Sequence, residues 1–295
     1  MIRVSTAALS SFSCHITCAG KFRGAAGIFA ARRSFSTSLQ ASLNPLGGSK
    51  SKRTFRCVIS KQISKPSWFS TTISAKMSSP SKVVEHVVFF NVKEGTPPEK
   101  ANAMISALQG LKSLDTVLQL TAGPALNSHS ETYKYTHALY SRYKDKQSLD
   151  DYSACPQHMD VVKQFVLPIV DDIFALDWEA EIDGPVVSSY GALRVAVFKP
   201  KDDMATPQRF ELVEILSGYK SLFPSIGQVS FGENFSPARA KGFTWGFLSL
   251  FPGVKELEEF NKNDEHIKLQ CEKILPQMEN YIIVDMLSSP NPSSL

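Results

Sequence analysis

The sequence of 295 residues has no run of eighteen or more apolar residues, so no transmembrane helix and no membrane partner is expected. Acidic residues are missing from its first quarter: no Asp or Glu precedes Glu85, while residues 1–76 hold twelve Lys and Arg. The formal net charge of +4 therefore conceals an acidic remainder, since 32 − 12 leaves 20 basic residues against 28 acidic ones from Met77 onward, a balance of about −8. A folded part of that charge repels a phosphate backbone, which argues against nucleic acid as a partner. Cysteine is also scarce. Of five, Cys14, Cys18 and Cys57 fall in the acid-free stretch, and Cys155 and Cys271 alone support neither a disulfide framework nor a zinc cluster.

What the first 76 residues do have is 21 Ser or Thr, scattered Arg and Lys, and the segment Ala30-Ala31-Arg32-Arg33-Ser34-Phe35-Ser36-Thr37-Ser38. This is the composition of an organellar transit peptide, and residues 1–76 are set aside from the fold as a presequence.

The remainder repeats itself. An offset of 108 residues, with one local slip of a single residue, superimposes nearly all of residues 86–178 on 194–286. Asp150-Asp151-Tyr152 meets Glu258-Glu259-Phe260, His158 meets His266, Leu167-Pro168 meets Leu275-Pro276, and Asp177 meets Asp285. A period this long marks a duplicated domain rather than a solenoid. The first copy spans residues 83–180 and the second 191–287, with a linker over 181–190 and a tail over 288–295.

Each copy reads strand, helix, strand, strand, helices, strand. In the first, residues 84–93 alternate and are rich in Val and Phe. Thr96, Pro97 and Glu99 predict an N-cap, a first helical position and a capping box, ahead of a stripe of Met104, Ile105, Leu108 and Leu111. Strands are predicted over 117–122, 133–143 and 173–178. A polar loop is expected over 123–132, a short helix over 147–155, and a longer helix from Pro156 to about Val170. An antiparallel sheet with helices on one face is a ferredoxin-like α+β unit. The strands Val87-Val88-Phe89-Phe90 and Tyr281-Ile282-Ile283-Val284 are apolar on both sides, so the other face also needs cover. Two such units packed sheet to sheet would form a dimeric α/β barrel within one chain, an intrachain pseudo-dimer that leaves a further homodimer open.

His86 ahead of Val-Val-Phe-Phe, Pro98-Glu99-Lys100, Gly123, Tyr152-Ser153-Ala154-Cys155-Pro156-Gln157-His158, Leu167-Pro168 and the closing Phe174-Ala175-Leu176-Asp177-Trp178 together resemble the stress-responsive dimeric α/β-barrel domain family of plants and bacteria. Most plant members have no established chemistry. The resemblance implies a stress-associated protein that takes a small hydrophobic or aromatic ligand. Alternatively, it implies a cofactor-free polyketide cyclase or lyase that closes a polyketone by aldol condensation. On that pattern His158 and Tyr152 are the catalytic pair, and His86 and His137 line the pocket. Repeat two offers Arg194, Trp245, Phe260 and His266 at these four places, so the chemistry is expected in repeat one. A structural role for His158 and His266 is the competing reading, because that histidine persists in both copies. The resemblance also implies an Mg²⁺ ion on the backbone carbonyls of Gln109 and Lys112; the chemistry itself requires no cofactor. Ser293-Ser294-Leu295 is a weak variant of the Ser-Lys-Leu signal, which predicts a peroxisomal import receptor as partner and the peroxisome as location. A mitochondrial or plastid form starting at Met1 is the alternative.

Overall fold

The computed structural model describes residues 81–187 and 189–288, all within one compact unit, Lys76–Leu295. The presequence expected over residues 1–76 and the tripeptide Ser293-Ser294-Leu295 lie outside the described residues.

Repeat one runs β1 (Ser81–Val92), α1 (Pro98–Gly110), β2 (Val117–His129), β3 (His137–Tyr143), α2 (Lys146–Ala154), α3 (Pro156–Val161) and β4 (Val170–Ile182). Repeat two runs β5 (Ala192–Pro200), α4 (Thr206–Leu222), β6 (Gln228–Glu233), β7 (Trp245–Phe251), α5 (Val254–Asn261), α6 (Asp264–Leu269) and β8 (Met278–Leu287). All eight strands join one antiparallel sheet in the order β4-β1-β3-β2-β8-β5-β7-β6. Its end strands approach each other at the bridge Trp178↔Asn234, so the sheet is nearly closed. The architecture is the intrachain dimeric α+β barrel that the doubly apolar strands required.

Strand alternation assigns every side chain to one of two sides. Val87, Phe89, Phe174 and Trp178 of repeat one enter an inner core with Leu193, Val195, Val284 and Met286 of repeat two. Residues one step along face the helices: Val84, Phe90, Leu120, Leu139 and Tyr143 pack with Met104, Leu108, Leu149 and Tyr152, and repeat two builds the matching layer around Leu212, Leu216, Phe247 and Phe260. Each large apolar side chain so buried contributes about 1.5–3 kcal/mol.

The inner core is not wholly apolar. Glu85 and Arg142 are both fully buried there, with Arg142 Nη2 2.6 Å from Glu85 Oε1. Tyr140 donates to Glu85 Oε2 at 3.1 Å. Repeat two completes the set: Ser230 Oγ donates to Glu85 Oε1 at 2.7 Å, and Arg142 Nη1 donates to Gln228 Oε1 at 2.6 Å.

Four local expectations are corrected. The capping box does not form: α1 starts at Pro98 with Pro97 as N-cap and no side-chain cap, because the Thr96 amide is already turned back onto the Lys93 carbonyl. The loop expected over 123–132 is largely strand: β2 continues through Gly123-Pro124 to His129, since beyond Pro124 it leaves β3 and pairs with β8 of the other repeat. The third strand accordingly begins only at His137. The longer helix expected from Pro156 is α3 followed by a single π-helical turn, Val162–Val166.

Candidate functional site

The strand face toward the helices carries His86 and Asp177 of repeat one. His86 on β1 and Asp177 on β4 are register partners, and His86 Nδ1 lies 2.5 Å from Asp177 Oδ1. Both are mostly buried, with 14% and 10% of their side chains exposed. Nδ1 is thus engaged by the carboxylate, which leaves Nε2 as the ring's second nitrogen.

Beside this dyad stand two aromatic groups. Tyr143, at the end of β3, and Tyr152, on α2, each lie with ring centroids 6.4 Å from His86 and 5.2 Å from one another. The two hydroxyls interact with one another, and Ser141 Oγ is 2.9 Å from the Tyr143 hydroxyl. Burial pushes both phenols well above their ordinary range. Both are therefore protonated at neutral pH and able to donate a hydrogen bond.

Asp145 caps α2 by accepting from the Ser148 amide at 2.8 Å, and Pro156 forces a new helix after Cys155. That bend carries His158 back over Tyr152, ring centroids 4.5 Å apart. His158 Nδ1 lies 3.2 Å from the Ser153 carbonyl, a contact only an N–H can satisfy, so Nε2 is the basic atom. Its pKa is lowered first by burial and further by His86 and Arg239, against the Ser153 carbonyl.

Three of the four residues singled out in the sequence, His86, Tyr152 and His158, thus come together. His137 does not join them. It is on the same face but pairs with Phe90, whereas His86 pairs with Ser141, four strand residues or about 13 Å away; its ring nitrogen lies 2.9 Å from Thr136 Oγ1. Asp177 and Tyr143 were not singled out. The repeat alignment offered a signal for Asp177, since the same carboxylate recurs as Asp285. Tyr143 meets Phe251 and had no such signal. At the end of α1 the carbonyls proposed for Mg²⁺ sit beside a continuing ladder: Leu111 N–H points at the Gln109 and Leu108 carbonyls and Ser113 Oγ donates to Gly110 O. Among the described residues no group of three His, Cys, Asp or Glu side chains is placed to hold a metal, so an ion there would rest on carbonyls alone.

Repeat two fills the same space with its own side chains. Arg194, at the place of His86, makes a two-point pair with Asp285 at 2.7 and 2.9 Å. Burial alone would raise the Asp285 carboxyl; Arg194 overrides it and holds the carboxyl below its ordinary value. His266 accepts from Arg194 at Nε2, 3.2 Å, and meets the Tyr219 hydroxyl at Nδ1, 2.8 Å, while Phe260 stacks on its ring at 3.9 Å. Burial, then Arg194, push His266 down to about 3. The cavity left among Arg194, Tyr219, Phe260 and His266 is about 30 Å³, room for a water or two.

Each site is braced by the other repeat. Asn127 of repeat one donates to Asp285 Oδ2 at 3.3 Å; Asn234 of repeat two accepts from the Asp177 amide at 3.3 Å, and the Phe235 amide donates to the Asp177 carbonyl at 3.0 Å.

Fold and site together define a tandem ferredoxin-like barrel protein with one polar His/Asp/Tyr cluster and one filled counterpart. The chain belongs to the stress responsive A/B barrel domain family, which matches residues 84–180 and again 193–288. It is 36% identical over 230 residues to a stress-response A/B barrel domain-containing protein of Arabidopsis thaliana, covering 77% of this chain and 87% of that one. To a second protein of the same description from the same plant it is 35% identical over 211 residues, 70% of this chain and 96% of the other. Among solved structures, a Fusobacterium nucleatum protein provisionally classed as a monooxygenase shares the fold: TM-score 0.51, 13% identity, 71% of this chain and 94% of that one.

Proposed function

We propose that repeat one binds a small hydrophobic or aromatic ligand bearing carbonyl or phenolic oxygen, on the helix side of the sheet among His86, Tyr143, Tyr152 and His158. One observation carries this reading. Both repeats keep the strand carboxylate, but in repeat two Arg194 occupies it at two points, whereas in repeat one a histidine stands there with its second nitrogen unengaged among the described residues. The Tyr152 hydroxyl supplies the donor for a ligand oxygen, and the surrounding rings supply the apolar walls.

A second reading, a cofactor-free polyketide cyclase or lyase, is favoured by His158, whose basic Nε2 stands beside a protonated phenol. The imidazole would take a proton from a methylene between two carbonyls. The resulting carbanion would attack a further carbonyl carbon, and the oxyanion formed would be held by Tyr152. Mg²⁺ on the Gln109 and Lys112 carbonyls enters neither reading. We also propose the peroxisome as destination, through Ser293-Ser294-Leu295 and its import receptor.

The test is titration of the full chain with an alkylphenol and a linear β-polyketone, followed by calorimetry, with the His158 ring resonances reporting occupancy in the chains that keep that histidine. His158→Ala and Tyr152→Phe should each weaken binding about tenfold, and cyclised product that His158→Ala fails to form would mark an enzyme. If those variants bind as wild type while His266→Gln abolishes binding, the site is in repeat two and the reading fails.

A further inference from the structure

The described residues include four arginines, and three are committed: Arg142 to Glu85, Arg194 to Asp285 and Arg209 to Glu233. Arg239 has no carboxylate among the described residues. It ends a one-turn helix, Pro237–Arg239, between β6 and β7 of repeat two, and it is exposed. Yet that turn belongs to the wall of repeat one. It packs on β4, and the residues before it bond to both sides of Asp177 through Asn234 and Phe235. Phe235 joins the apolar cluster under the helices of repeat one, with Lys146 of α2 4.4 Å above its ring. On the far side of the turn, Lys241 is tied to Asp172 of β4. The loop is thus pinned at both ends to the strand that carries the dyad aspartate.

We propose that Arg239 is a specificity residue for the repeat-one site: it reaches across from repeat two to bind a carboxylate on the ligand, so the site takes aromatic or polyketone acids. This rests on the ligand-binding reading of that site. The Arg239 guanidinium makes no ion pair among the described residues, and its planar fork matches a carboxylate at two points. The lowering of the His158 pKa by Arg239 is the same field felt by a neighbour. Lys146, the other cation near Phe235, is already paired with Glu179, which leaves Arg239 to receive the anion. The ligand would then be held at its two ends by the two repeats, its oxygen at Tyr152 and its carboxylate at Arg239.

The experiment uses the full chain and two probes, an alkylated hydroxybenzoate and its uncharged methyl ester, with affinity from calorimetry and site occupancy from the His158 resonances. Wild type should prefer the acid by about tenfold or more, as expected for a charge-assisted pair. Arg239→Gln should remove that preference by weakening the acid and leaving the ester unchanged, Arg239→Lys should keep part of it, and added salt should reduce it. An acid-to-ester ratio unchanged in Arg239→Gln, with both probes still moving His158, overturns the role of Arg239 alone. If neither probe moves His158, or Tyr152→Phe binds both as well as wild type, the reading of the site fails, and this proposal with it.

Discussion

His158 and His266 sit at equivalent positions, and what separates them is the partner of Nε2. In repeat one no described residue hydrogen-bonds that atom; in repeat two it accepts from Arg194. Because His266 is pushed down to about 3 from an unfolded value of about 6.5, the unfolded chain binds the extra proton between those limits. Its contribution is therefore complete above about pH 6.5 and is lost as pH falls toward 3, at on the order of 1.4 kcal/mol per pH unit at the steepest. The Asp285 carboxyl, held low, adds to the loss only at the acid end of that window. Denaturant unfolding from pH 7 to pH 4 should show this slope, and His266→Gln, less stable at pH 7, should show a flatter one. Equal slopes for the two proteins would contradict the assignment. The sequence revealed that one histidine persists in both repeats, but not which nitrogen was used, because a nitrogen's partner lies on another element.

At the scale of elements, the barrel seam between β4 and β6 is a steric device. The Trp178 indole is fully buried against Gly232 and Gly246: a Cβ at Gly246 would overlap its six-membered ring, and one at Gly232 would lie 2.8 Å from Cδ1. Two strands meet by a single bridge because a large ring occupies the remaining gap. Gly246→Ala should cost about 1–3 kcal/mol through overpacking. Adding Trp178→Leu should make that alanine nearly neutral, a coupling that a double-mutant cycle in thermal unfolding reads directly. If the two costs simply add, the glycine is kept for another reason. The same scale explains the misread loop: residues 123–132 contain turn formers and carry little local strand signal, and they become strand only because β8 offers its edge.

At the scale of the whole molecule, the two repeats are held in one arrangement by an unequal polar contact. Glu85, Arg142 and Tyr140 correspond to Leu193, Leu250 and Leu248 in repeat two, so the buried pair exists once and finds its remaining partners, Gln228 and Ser230, across the interface. Arg142→Leu alone strands a buried carboxylate and should cost about 3–5 kcal/mol. Glu85→Leu with Arg142→Leu, which copies the repeat-two residues, should be less destabilised than either single change. A double variant worse than both singles would show that the pair contributes net stability rather than register. The proposed address is tested on the intact chain length from Met77: an N-terminally tagged Met77–Leu295 protein should be punctate with its last three residues and diffuse without them. Diffuse signal from both removes the peroxisomal proposal.

The duplication, the α+β units and the need to cover both sheet faces were legible from residue order, because they depend on local periodicity and on Val-Val-Phe-Phe runs that water cannot cover. So was the concentration of His86, Tyr152 and His158 in one copy. Four other features required the tertiary structure: the pairing of β2 with β8, the pairing of His86 with Asp177 91 residues away, the exclusion of His137, and the arrival of Arg239 from the other repeat. Each depends on strand register and on which repeat supplies the neighbouring loop. Those are properties of the closed sheet, and no segment of the chain carries them alone.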